Sequence, residues 1–78
     1  MPRKLRELRR DLRHAGWAID HQTGSHQRWR HPLVADLDIT LAGADGADAK
    51  PYMEKDVREA VRRAKAAEAA KKQKGKQP

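Results

Sequence analysis

At Gly16 the spacing of apolar residues changes, and no other feature limits more tightly what this chain can fold into. Before it, in "PRKLRELRRDLRHA" (residues 2–15), Leu5, Leu8, Leu12 and Ala15 recur at the 3, 4, 3 spacing of an amphipathic helix. Arg13 and His14 stand in the last turn, where cations suit the helix dipole. Gly16 then ends the helix in the left-handed conformation that glycine adopts freely. After Gly16 the period is two. Trp17 and Ile19 alternate with Ala18 and Asp20, as in a half-buried strand.

"QTGS" follows as a turn, because Gly24 tolerates positive φ. From Ser25 to His31 the chain alternates again. With Trp29 facing a core, parity sends His26, Arg28 and Arg30 to the opposite face. Pro32 cannot donate to a ladder and closes that strand. "ADLDITLA" is a third strand, with Leu37, Ile39 and Leu41 inward and Asp36, Asp38 and Thr40 outward. "GADGADAK" reads as a loop. Pro51 marks the first turn of a second helix, with Asp56 as an alternative N-cap. Its apolar stripe is Met53, Val57, Ala60, Val61 and Ala64, with Arg58, Arg62 and Lys65 on the other side.

The order is therefore α-β-β-β-α, an α+β fold in which a three-stranded antiparallel meander carries both helices on one face. Its expected core is Leu5, Leu8, Leu12, Trp17, Ile19, Trp29, Leu37, Ile39, Leu41, Val57 and Val61. Beyond Ala66, "AEAAKKQKGKQP" holds no large apolar residue. The expected organisation is one domain over 1–66 and a disordered basic tail over 67–78.

Roughly 65 residues are left to build a core, and a domain that small buries only about 60% of its unfolded surface. Any site is then shallow and built on a surface. Of the 78 residues, 18 are Lys or Arg against 11 Asp or Glu, for a net charge of +7. Such an excess points to polyanionic partners, nucleic acid first among them. The chain has no cysteine, hence no disulfide and no thiolate zinc site. No apolar run is long enough to span a bilayer, so the sequence reads as soluble and cytoplasmic, with no membrane partner.

The densest chemistry lies in "TGSHQRWRHP" (residues 23–32). Cleaving RNA near neutral pH takes a base for the ribose 2′-hydroxyl, or for water, and cations for the charge growing on phosphate. Imidazole suits the first task, and guanidinium groups suit the second. His26, Arg28 and Arg30 share one face at that spacing. The competing reading of His26 is a solvated strand histidine. For Arg28 and Arg30 it is cross-strand pairing with Asp20, Asp36 and Asp38, where each exposed pair contributes about 0.2–1 kcal/mol. His31 shares the parity of Trp29 and reads as a buried strand-end histidine bonded to backbone. His21 lies beside the turn, where it could approach His26 across the hairpin as a minor contributor, and His14 is a helix C-terminal cation. Zinc held by His21, His26 and His31 is disfavoured, because His26 and His31 point to opposite faces. The aspartates at 36, 38, 45 and 48 are too scattered to hold a hard cation. The scheme needs no metal and no cofactor.

"GW" after a basic helix, "GSH" at 24–26, an aromatic three residues on at Trp29 and "HP" at 31–32 resemble the HicA toxin family. The similarity runs over roughly residues 3–65. It implies a fold like a double-stranded RNA-binding domain, and the toxin of a type II toxin–antitoxin system. It also implies an mRNA interferase, an endoribonuclease acting on RNA and held inactive by a HicB-type antitoxin protein. The motif's histidine, His26, becomes the catalytic residue. Gly24 makes the turn, and Ser25, Arg28, Arg30, Arg58, Arg62 and Lys65 are the candidate phosphate contacts. Arg3, Lys4, Arg6, Arg9, Arg10 and Arg13 ring the first helix and Arg58, Arg62, Arg63 and Lys65 line the second. Their excess suits sequence-independent contact with phosphates. The alternative is a non-catalytic RNA-binding module of the same fold, favoured by the acidic 36–48 segment and the absence of histidine from the region after the third strand.

Overall fold

A computed structural model describes residues 2–76, with side chains described to Lys71. Helix α1 (Leu5–His14) is followed by strands β1 (Ala18–Thr23), β2 (His26–His31) and β3 (Val34–Ala42), then by helix α2 (Pro51–Lys76). The strands pair antiparallel in the order β1-β2-β3, so β2 is central. The architecture is the α-β-β-β-α sandwich of an α+β fold.

The stop at Gly16 is built as its sequence requires. Gly16 has φ +95°, its N–H donates to the Arg13 carbonyl, and the Trp17 N–H donates to the Leu12 carbonyl at 2.9 Å. This paired capping pattern satisfies carbonyls that would otherwise be orphaned at the helix end. At the other end of α1 the chain is capped from far away. Leu5 N–H donates to the Ala47 carbonyl and Arg6 N–H to the Asp45 carbonyl. The loop between β3 and α2 therefore supplies the acceptors that the first helical turn needs.

One core joins the layers. Leu5, Leu8 and Leu12 of α1 meet Trp29, Ile39 and Leu41 of the sheet and Met53, Val57, Ala60 and Ala64 of α2. Trp17 is buried there too, and its indole N–H donates to the Ala60 carbonyl at 3.2 Å. Leu37 and Val61 pack on the margin of this cluster, half-buried.

Ile19 corrects the sequence reading, since it is 38% exposed rather than part of the core. Its register partner is Trp29, so it does lie on the inner side. However, β1 is an edge strand exposed along its whole length. Trp17, just before the strand, does the burying instead. The second difference is the length of α2, which continues to Lys76 past the expected end at Ala66. Ala67 still packs against the core, and Ala66, Ala69, Ala70 and Lys71 are strong helix formers, so propensity carries the helix beyond its packing. Of the expected tail, Gln77 and Pro78 lie outside the described residues. Among the described residues no helix is long and apolar enough to cross a membrane.

Candidate functional site

The site grows from the alternation of β2. Gly24 and Ser25 form a two-residue hairpin loop between Thr23 and His26, which are register partners. Gly24 has φ +59° and nothing within 4 Å of where a Cβ would stand, so glycine is there for its backbone alone. That turn sets the parity of the strand. Trp29 and His31 are buried on the inner face, whereas His26, Arg28 and Arg30 are exposed on the outer one.

Trp29 fixes this parity. Its ring is fully buried, with the Arg13 guanidinium 5.3 Å from its centroid. At the hairpin end, inner-side Gln27 accepts from Arg9 Nε at 2.7 Å. The same Arg9 guanidinium reaches the Gly43 carbonyl at 2.6 Å and the Asp45 carboxylate. Arg9 is itself 5% exposed. It is thus a structural cation that pins β2 and the loop after β3 to α1, and it is withdrawn from the set that could meet phosphate. Asp48 is likewise engaged, by Lys4 Nζ at 2.5 Å.

The outer face has four neighbouring positions around its open end. Thr23 stands opposite His26, and His21 stands opposite Arg28. Thr23 Oγ1 and His21 Nε2 are 3.1 Å apart, within hydrogen-bond distance. A bulge between Ile19 and His21 turns Asp20 onto the same face, where its carboxylate accepts from Arg28 at 2.8 Å. Among the described residues the side-chain bonds of this corner are made by His21, Thr23, Asp20 and Arg28, leaving His26 uncommitted. Ser25, in the loop, is exposed beside it.

The charges on this face nearly cancel. Arg28 pairs with Asp20, and Arg30 lies 3.4 Å from Asp38 on β3. The Arg28 hydrogen bond holds the Asp20 carboxyl below its ordinary value, and Asp20 in turn raises the Arg28 guanidinium. Both pairs are exposed, so each is worth little to stability and exchanges readily with another anion. A guanidinium has five donors, and Arg28 commits one of them to Asp20.

The other expected phosphate contacts do not join His26. Arg58, Arg62 and Lys65 are exposed on α2, in the helix layer on the covered side of the sheet. Arg58 and Lys65 line a groove between the helices together with Arg3 and His14. Arg62 is bound to Glu59 on its own helix, and Arg63 holds Asp36 of β3 through two contacts of 2.7 and 2.8 Å. In each pair the arginine draws the carboxyl below its usual range. Helical spacing could not reveal this division, because it places cations on a helix without saying which layer the helix occupies.

His31 has both ring nitrogens engaged. Nε2 lies 3.0 Å from the Ala15 carbonyl, and Nδ1 accepts from Leu33 N–H at 3.0 Å. Its ring meets Trp17 edge-on at 5.4 Å. It cannot share a ligand with His26 across the sheet. Among the described residues no group of three His, Asp or Glu is placed to hold a metal ion.

No curated protein and no solved structure gives a significant match to this chain. A family model does. Residues 5–68, from the first residue of α1 well into α2, match that of the HicA toxin of bacterial toxin–antitoxin systems, and the chain belongs to that family.

Proposed function

We propose that this toxin is an mRNA interferase that cuts RNA on the outer face of its sheet, with His26 as the base and Arg28 as the principal phosphate contact. The observation that carries the reading is the split of β2. His26 is open and uncommitted beside an arginine with donors to spare, while the strand's other histidine is buried and fully bonded. A base must reach the proton it takes, and a partner for phosphate must be able to release its own anion. Arg30 and Ser25 flank the same spot as secondary contacts. Arg58, Arg62 and Lys65 act at longer range, adding to the field that draws a polyanion toward the molecule.

Membership of a toxin–antitoxin family implies an antitoxin partner. A HicB-type protein that covers the outer face would silence the toxin by excluding RNA. The reaction is read as metal-independent, since the base and the cations it needs are side chains.

The near-neutral sheet face favours a second reading, an RNA-binding module without cleavage, because Asp20 and Asp38 offset the two arginines. One assay separates the two. Purified protein is incubated with a long single-stranded mRNA in EDTA, beside His26→Ala. Fragments from the wild type alone, with gel-shift affinity retained by the variant, are expected for the interferase. Salt-sensitive binding by both proteins without fragments leaves the binding module.

A further inference from the structure

The geometry points to His21 as the general acid of the reaction, protonating the oxygen that leaves when His26 deprotonates the one that attacks. This assignment rests on the interferase reading and deepens it.

The four outer-face positions form a quadrilateral. Along β2, His26 and Arg28 make one side; along β1, Thr23 and His21 make the other. Directly opposed residues in an antiparallel pair stand about 5 Å apart, and diagonal ones about 7–8 Å. His21 and His26 occupy a diagonal, with Arg28 at the corner between them. In an in-line displacement the entering and leaving oxygens lie on opposite sides of phosphorus. Two groups that serve them must be separated by a phosphate and two hydrogen bonds, which the diagonal provides. A guanidinium at the intervening corner then meets the non-bridging oxygens.

The ring of His21 is oriented for this task. Its Nε2 faces Thr23 Oγ1 at 3.1 Å, so in the imidazolium form Nε2–H donates to the hydroxyl and Nδ1–H is left for a substrate. Thr23 is a positioning residue here. The charged neighbours of His21 are Asp20 beside it, already bound to Arg28, and Arg28 opposite; His26 completes the set, and among the described residues no strand lies on the far side of β1.

The step balances without a co-reactant. His26 takes the 2′-hydroxyl proton, the 2′-oxygen bonds to phosphorus, and the bond from phosphorus to the 5′-oxygen breaks. The His21 proton passes to that oxygen. The products are a 2′,3′-cyclic phosphate and a 5′-hydroxyl end.

The test compares wild type, His21→Ala and His26→Ala on an oligonucleotide spanning one mapped cleavage site. It is repeated with the 5′-bridging oxygen of that site replaced by sulfur, a leaving group that departs without a proton. On the all-oxygen RNA, His21→Ala should lose about 10²–10⁴-fold in rate, together with the high-pH limb of a bell-shaped profile. On the sulfur-bridged RNA it should approach the wild-type rate, while His26→Ala stays slow on both. Thr23→Val should lose less than His21→Ala. A His21→Ala rate equal to wild type on the all-oxygen RNA, or an equal loss on both substrates, overturns the acid assignment while leaving His26 intact. Wild-type protein that cuts neither substrate removes the interferase reading, and the acid with it.

Discussion

The two ends of β2 carry one histidine each and treat it in opposite ways. At the far end, His31 lies under the C-terminus of α1, 4% exposed, with both nitrogens bonded and Trp17 against its ring. At the hairpin end, His26 faces solvent among groups that could exchange partners. The residue type is the same; strand parity and the position of the helices make the difference. A histidine closed in by backbone can hold a fold together but has no lone pair or proton left for a substrate. A histidine left open contributes little to the fold and can do chemistry. The open end is nonetheless held from behind, because Arg9 anchors Gln27, the neighbour of His26, to α1.

Three perturbations sharpen this contrast, taken here from the largest expected effect to the smallest. Replacing His31 by alanine opens a cavity and strips partners from the Ala15 carbonyl and the Leu33 N–H. It should cost about 3 kcal/mol in denaturant unfolding, and cleavage per folded molecule should hold. Glycine-to-alanine changes come next. Gly16→Ala must bear positive φ, and its Cβ would stand 2.7 Å from His31 Nε2. The conformation alone costs about 1–2 kcal/mol, and the displaced imidazole adds to it. Gly24→Ala meets no neighbour, so only the conformational cost of about 1 kcal/mol remains. Equal losses at the two glycines would contradict the view that one end is closed and the other open.

The smallest effect is in acid. Asp20, Asp36 and Glu59 all have their carboxyls lowered by an arginine. A carboxyl whose folded value lies below its unfolded one stabilises the fold above the ordinary carboxylate range. That contribution disappears as pH falls through the lowered value. The thermal midpoint should therefore decline below pH 4, and Asp36→Asn, which frees Arg63, should flatten part of that decline. An unchanged acid slope in this variant would mean that the β3–α2 pair is inconsequential in solution.

Much of the fold was legible because local rules and the global arrangement agree. Gly16 ends α1 where the apolar period changes, and the parity of Trp29 gives the outer face of β2. Three features were not legible, each for a reason of tertiary origin. Alternation at Trp17 and Ile19 signals a half-buried strand, but it cannot say that the helices stop short of β1. The acidic residues of the loop after β3 look like solvent-facing loop chemistry; Asp45 and Asp48 are instead the distant partners of Arg9 and Lys4. The run of arginines on α2 reads as one cationic surface with His26 until the layers are assembled, and then it lies on the other side. At the site, the glycine turn and the exposed face were readable, and the resemblance of "GSH" singled out His26. That His21 could approach His26 across the hairpin was readable; the diagonal between them with Arg28 at its corner was not, because it depends on the hairpin register and on the bulge before His21.

The most direct test of the account measures cleavage rate and melting temperature side by side for His26→Ala and His31→Ala. His26→Ala should lose about 10²–10⁴-fold in cleavage with a melting temperature close to that of the wild type. His31→Ala should melt lower by about 10–20 °C, at roughly 4–8 °C per kcal/mol for a domain of this size, and still cut RNA below its transition. The opposite pattern, a stable but inactive His31→Ala and an active His26→Ala, would contradict the division of labour on which the account stands.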